Sequence, residues 1–230
     1  MLGLESKSTS TDPVSDADRD AEALLDELLM TERPDDGLLG EEGAGREGTS
    51  GRRWVVDPLD GTVNFLYDNP QWCVSVAVED SAGALAGVIF HPPSGELFAA
   101  QRGGGATVDG RALRVREPET LDNALVATGF AYSAERRAEQ AAVIARALPA
   151  VRDIRRGGAA ALDLAWLAAG RVDAYFERGL KAWDWAAGRL LVEEAGGAIR
   201  ELPGEPYGIA AGAPAVLDEL YSLVTVKEPS

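Results

Sequence analysis

At 230 residues, with 46% hydrophobic and 26% charged content, the chain has the make-up of a globular protein long enough for one substantial core. Its 22 Lys and Arg against 38 Asp and Glu leave a net charge of −16, which argues against non-specific nucleic-acid or acidic-membrane binding and requires cations to draw in any anionic substrate. The single cysteine, Cys73, excludes an intramolecular disulfide, and neither a membrane span of roughly 18 apolar residues nor a signal peptide is visible, so a cytoplasmic location is expected.

Residues 7–18 are polar, with Ser and Thr interleaved. Ser15 or Asp16 can cap a helix over 17–31 whose apolar residues Ala21, Leu24, Leu25, Leu28 and Leu29 share one face. Leu38 and Leu39 then lead to Gly40-Glu41-Glu42, a strand end that delivers a carboxylate. Residues 43–53 are glycine-rich and charged, and predict a flexible loop. The next stretch, 54–65, is the one the rest of the chain serves. Trp54, Val55 and Val56 read as a buried strand, and Pro58 holds Asp57 extended while removing one backbone donor. Asp60-Gly61 signals a turn, and Thr62 to Phe65 can start a helix whose free N–H groups point back at it. Two carboxylates at a strand end, facing a helix N-terminus, suit a divalent cation with a phosphate above it. A simple Asp-rich helix cap accounts for Asp60 but not for Asp57.

Residues 72–100 predict an antiparallel meander, with Val74, Val76 and Val78 alternating with Ser75 and Ala77 and turns near 81–83 and 91–95. The only histidine, His91, sits in the second of those turns among prolines, so Ser/His/Asp catalysis is excluded. Gly103-Gly104-Gly105 precedes a hairpin pattern, not a helix, and is no phosphate loop. Thereafter strands at 124–128, 151–155 and 172–176 alternate with helices at 134–148, 159–169 and 185–195, a layered α/β pattern. Asp184 falls directly before the last helix, as its N-cap.

The run Asp57-Pro58-Leu59-Asp60-Gly61-Thr62-Val63-Asn64-Phe65 resembles the signature of the inositol monophosphatase family of magnesium-dependent phosphatases. Trp183-Asp184-Trp185-Ala186-Ala187-Gly188 resembles that family's second hallmark, and Gly40-Glu41-Glu42 and Glu177-Arg178-Gly179-Leu180 match as well. The similarity runs from about Lys7 to the C-terminal region. It implies an α+β fold, a layered αβαβα sandwich with an antiparallel first half (about 1–120) and an α/β second half (about 121–230), forming one unit over 1–230.

The resemblance also implies roles. Glu41, Asp57, Asp60, Asp184 and the Leu59 carbonyl would hold two or three Mg²⁺ ions, while Glu41 and Thr62 orient the attacking water. Asp18 would hydrogen-bond the catalytic Thr62, Glu42 would stand behind Glu41, and Lys7 would lie near the phosphate. The N–H groups of Gly61 and Thr62 would hold phosphoryl oxygens, with Asp60 and Asp184 facing the substrate too. Gly158, Ala159 and Ala160 match a substrate-binding turn, Ala159 standing where many relatives carry a hydroxyl, and Glu177 matches a residue that binds substrate hydroxyls. The implied activity is hydrolysis of a small polyol phosphate, myo-inositol 1-phosphate first, without a covalent intermediate. Histidinol phosphate and fructose 1,6-bisphosphate are the alternatives within the superfamily, and a non-catalytic binding or regulatory protein is the alternative outside it. A homodimer is expected. Family members carry a further helical segment before the first loop where this chain has six residues ahead of Lys7, so part of the apolar face of helix 17–31 is expected to be uncovered.

Overall fold

The structure, a computed structural model, describes residues 4–6 and 13–225. A short ribbon of β1 (Leu4–Ser6) and β2 (Pro13–Ser15) leads into helix α1 (Asp16–Glu32). The first large sheet follows: β3 (Gly37–Gly40), β4 (Gly45–Arg46), β5 (Arg53–Asp60), β6 (Cys73–Asp80), β7 (Gly83–His91), β8 (Glu96–Gln101), β9 (Gly105–Val108) and β10 (Arg111–Ala112). A one-turn helix, α2 (Thr62–Leu66), interrupts it after β5. The strand order is β10-β9-β8-β7-β6-β5-β3-β4, antiparallel except for the β3–β5 pair. The expected meander is present as β6, β7 and β8. The expected loop over 43–53 contains β4, which folds back on β3.

The second sheet is built from β11 (Leu125–Thr128), β12 (Asp153–Arg155), β13 (Ala174–Arg178), β14 (Ala198–Glu201) and β15 (Gly208–Gly212), with helices α3 (Ala134–Ala147), α4 (Ala160–Ala168), α5 (Ala182–Glu194) and α6 (Pro214–Thr225). Its order is β12-β11-β13-β15-β14; β11 runs parallel to β12 and β13, and β15 lies antiparallel between β13 and β14. The β14–β15 hairpin and α6 are additions to the sequence reading. Gly-Ile-Ala-Ala-Gly has little intrinsic strand preference, and β15 exists because every one of its residues is buried between two partner strands.

The layers explain the apolar pattern. On β6, Cys73, Ser75 and Ala77 are buried and Val74, Val76 and Val78 half-buried, so one face of the first sheet points inward. Against that face pack α4 and α5, which also touch the second sheet, so α4 is apolar nearly all round and the centre of α5, Ala186 to Val192 apart from Arg189, is buried. Helix α1 covers β5 from the far side, and α3 and α6 pack together beyond the second sheet. This is the αβαβα sandwich. Helix α1 is the exception to the pattern: Leu24 and Leu28 are 58% and 53% exposed while Asp18 and Glu22 are buried. Ala21, Leu25 and Leu29 are half-buried, and Asp18 and Glu22 share their side of the helix and point into the site below. No helix among the described residues is long and apolar enough to cross a membrane.

Candidate active site

Strand β5 pairs with β6 from Arg53↔Glu79 to Asp57↔Ser75 and resumes at Asp60↔Cys73. Three steps on β5 thus match two on β6, and the strand bulges at Pro58-Leu59, where proline offers no N–H to the ladder. Asp57, 1% exposed, receives the Leu59 N–H on Oδ1 at 3.0 Å. Gly61 then turns the chain at φ 96°, and a side chain there would meet the Gln71 carbonyl and Trp72 Cα. The turn delivers Thr62, whose hydroxyl donates to Asp18 Oδ1 at 2.9 Å and lies 3.2 Å from the Leu59 carbonyl.

Helix α1 holds two parts of this site with residues one turn apart. Asp18 takes the Thr62 hydroxyl. Glu22 takes the N–H groups of Glu42 and Ala44 at 2.8 and 2.7 Å. That grip, with the Glu41 N–H on the Val56 carbonyl at 3.2 Å, fixes the loop that carries Glu41.

The second half of the chain closes the site. Asp60 Oδ2 receives the Ala161 N–H at 2.6 Å, at the N-terminus of α4. Asn64 Nδ2 donates to the Gln71 and Gly157 carbonyls at 2.6 and 3.0 Å, tying α2 to the turn before α4. Helix α5 begins at Ala182 after Lys181, so Asp184 is not the N-cap but its third residue, and its Oδ2 receives the Lys181 N–H at 2.6 Å. Glu177 projects from β13, with the Tyr175 hydroxyl donating to its Oε2 at 2.7 Å. Gly129 lies so close to this carboxylate that any side chain there would collide with it.

Glu41, Asp57, Leu59, Asp60, Gly61, Thr62, Gly158, Ala160, Glu177 and Asp184 all line one cavity of about 450 Å³. Asp18 sits behind Thr62, and Ala159 is buried against Gly61 outside the cavity lining. Lys7 lies outside the described residues. A larger opening, about 600 Å³, lies beside β4; of its three acids, Glu79 and Asp80 are spent in ion pairs with Arg53 and Arg102, and only Glu47 remains.

Burial pushes the Asp57 carboxyl well above its ordinary range, and Glu41, Asp60 and Asp184 push it the same way. Burial likewise raises Asp184, with Asp60 and Glu41 adding to it against the Lys181 N–H. Asp60 is pushed up to about 7, chiefly by burial and then by Glu41 and Glu177, against the opposing Ala161 N–H. Glu177 also reaches about 7 through burial, opposed by the Tyr175 hydroxyl and Arg156. Among the described residues no three His, Cys, Asp or Glu side chains are yet drawn together closely enough to hold an ion. The donor set nevertheless fits a hard divalent cation: the acids crowd and repel one another, and Asp57, Asp60 and Asp184 are each held in place by a backbone N–H and not by an ion pair with a basic side chain.

Several contributors were not visible in sequence. Tyr175, Asn64 and Glu22 act through partners far along the chain or on another element, and Arg136, Arg156 and Lys181 reach the same cavity from separate loops and helix ends. Asp163, buried on α4, is raised by burial and by Glu177 and Asp60. The Arg155-Arg156 pair beside the Gly158 turn was the one signal that could have found a cation here.

Comparisons with known proteins agree with this geometry. The profile described as "Inositol monophosphatase family" matches residues 2–225. An inositol-1-monophosphatase of Mycobacterium leprae is 44% identical over 234 residues, covering 95% of this chain and 80% of that protein. A protein of Xylella fastidiosa named Nus factor SuhB is 46% identical over 194 residues, covering 84% of this chain and 70% of that protein. The crystal structure of the extragenic suppressor protein suhB from Bartonella henselae superposes with a TM-score of 0.91 at 39% identity, over 97% of this chain and 88% of that one.

Proposed function

The chain belongs to the inositol monophosphatase family, and from that membership we propose that it is a Mg²⁺-dependent phosphomonoesterase acting on a small polyol phosphate, myo-inositol 1-phosphate foremost. One observation carries the reading. Asp57, Asp60 and Asp184 are held in one cavity with raised pKa values, each supported by a backbone N–H and not by a protein cation. Folding tolerates such a cluster where a ligand completes it.

Glu41, Asp57, Asp60, Asp184 and the Leu59 carbonyl would hold two or three Mg²⁺ ions, which supply charge neutralisation for the phosphate and a more acidic water. The residues do the rest. Thr62, with its hydroxyl proton turned toward Asp18, and Glu41 orient the water for in-line attack on phosphorus. The N–H groups of Gly61 and Thr62 take phosphoryl oxygens as their charge grows. Glu177, braced by Tyr175, accepts substrate hydroxyls, with Gly158 and Ala160 forming the wall beside it. Water attacks directly, with no covalent intermediate. The same reading takes the protein to be a cytoplasmic homodimer and a single unit, without nucleic-acid or membrane partners.

The test is phosphate release from inositol 1-phosphate, histidinol phosphate, fructose 1,6-bisphosphate and nucleotide bisphosphates, with Mg²⁺ titrated from zero. The reading expects metal-dependent release with inositol 1-phosphate preferred; release without added metal in the presence of chelator would contradict it. The relative named a Nus factor favours a second reading, a regulatory binding role on the same fold. A folded protein that releases phosphate from none of these substrates would support that one.

A further inference from the structure

Asp57 and Asp184 reach the candidate active site from different layers of the sandwich. Asp57 lies on β5 of the first sheet, and Asp184 lies in the first turn of α5. The Lys181 N–H that Asp184 receives belongs to that same turn, so the bond fixes the carboxylate on the helix and not against Asp57. Where α5 sits on the first sheet therefore sets how far apart the two acids stand.

Two contacts one helical turn apart make that seat. Ser75, 1% exposed, stands directly opposite Asp57 in the β5–β6 ladder. Its hydroxyl donates at 3.3 Å to the carbonyl of Trp183, the residue before Asp184. Four residues beyond Trp183, Ala187 packs on Gly87, where a side chain would come within 2.9 Å of the Ala187 Cα and 3.0 Å of its Cβ. Gly87 pairs with Ala77, two residues from Ser75 on the inward face of β6. The four-residue step on the helix, roughly 6 Å, matches the two-residue step on the strand, roughly 6.6 Å. At the far end of α5, Glu194 receives the Gly103 and Gly105 N–H groups of the β8–β9 turn at 2.7 and 2.8 Å, so both ends of the helix are tied to the first sheet.

Burial alone does not ask for a serine here. The inward neighbours of Ser75 on β6 are Cys73 and Ala77, and the carbonyl it bonds already has a partner in the helix ladder, the N–H four residues on. A buried hydroxyl costs desolvation that an alanine avoids, and one hydrogen bond does little more than offset it. What the hydroxyl adds is direction: it joins the position facing Asp57 to the turn that carries Asp184. We propose that Ser75 is a positioning residue of the metal centre, holding the start of α5 so that Asp184 and Asp57 stand at the separation that binds Mg²⁺. The inference rests on the phosphatase reading above and deepens it.

The experiment titrates Mg²⁺ calorimetrically into wild type, Ser75→Ala, Gly87→Ala and Asp36→Asn, each without substrate. The Mg²⁺ dependence of inositol 1-phosphate hydrolysis is measured beside it. In Ser75→Ala the dissociation constant and the half-saturating Mg²⁺ concentration should rise together by about tenfold, the lower end of what groups behind a metal ligand contribute, while kcat recovers at saturating Mg²⁺. Gly87→Ala pushes on α5 one turn away without touching the hydroxyl, and should raise both in the same way. Asp36→Asn controls for a merely structural loss: it lowers stability and should leave both unchanged. An unchanged dissociation constant in folded Ser75→Ala would overturn the proposal, as would an equal rise in Asp36→Asn. If Ser75→Ala does not fold, Gly87→Ala decides: weaker Mg²⁺ binding supports the proposal, and unchanged binding overturns it. Wild type that neither binds Mg²⁺ nor releases phosphate would instead remove the phosphatase reading.

Discussion

Asp36 and Asp57 are two aspartates of the same sheet, 2% and 1% exposed, and they have opposite fates. Asp36, just before β3, receives the Ser50 hydroxyl at 2.6 Å, the Arg33 guanidinium at 3.0 Å and the Trp54 indole N–H at 3.0 Å. Burial pushes its pKa up, but those hydrogen bonds outweigh it and hold the carboxyl below its ordinary range. Asp57, on the adjacent β5, has one backbone N–H, and its neighbours Glu41, Asp60 and Asp184 add to the effect of burial. The protein completes Asp36 by itself. It leaves Asp57 for something else to complete, and that difference separates a structural acid from a functional one.

Substitutions at the two positions should therefore separate activity from stability. Asp57→Asn should reduce Mg²⁺-dependent phosphate release to background while the circular dichroism melt shows a folded protein; turnover like wild type would remove Asp57 from the site. Thr62→Val keeps the shape of the side chain and removes the hydroxyl between Asp18 and Leu59. It should lower kcat on the order of 100- to 10,000-fold in steady-state assays, the range of a positioned proton-handling group. Asp36→Asn should show the reverse pattern. Denaturant unfolding should record a loss of about 1–3 kcal/mol from the disrupted buried hydrogen-bond cluster, with kcat of the folded fraction preserved. Glu177→Gln should act more gently still, raising KM for inositol 1-phosphate about tenfold and leaving an aryl phosphate without hydroxyls little changed.

The smallest effect is on pH dependence. Asp60 and Glu177 titrate near 7 in the folded protein, above the ordinary carboxylate range. A carboxyl raised on folding makes the native state bind more protons than the unfolded chain between those values, so stability falls as pH rises through that window. In chelator, the melting temperature should drop from about pH 5 to pH 7.5, and Mg²⁺ should restore more of it at the upper end. Asp36, lowered on folding, contributes in the opposite sense and loses its contribution only as pH falls below the carboxylate range. A melting temperature in chelator that rises across that window would contradict this account of the cluster.

What the sequence made legible is what the chain encodes locally. Pro58 without an N–H, Gly61 at positive φ and two acids three residues apart are properties of one short stretch, and the bulge and turn follow from them. Asp184 has a role in the sequence only through the family resemblance, and read alone it is an N-cap, three positions from its true place in the helix, because the start of α5 is set by the extended Lys181 and by the acid reaching back to it. Glu22, Asn64 and Tyr175 escaped notice for a different reason. Glu22 looks like any acid on a helix until the fold brings residues 42 and 44 to it, and Asn64 has no visible purpose until Gly157 arrives from far along the chain. The buried strand β15 was illegible for want of branched side chains; tertiary burial, not propensity, makes it a strand.

The central claim is that the acids around Asp57 are incomplete without a cation, and calorimetric titration of Mg²⁺ into the protein tests it most directly. The titration is run at pH 7 in two buffers of different ionisation enthalpy. The account predicts saturable binding with net proton release, since carboxyls held protonated by burial and mutual repulsion give up protons to the ion, and loss of that release in Asp57→Asn. Absence of binding, or binding with no buffer dependence, would contradict it.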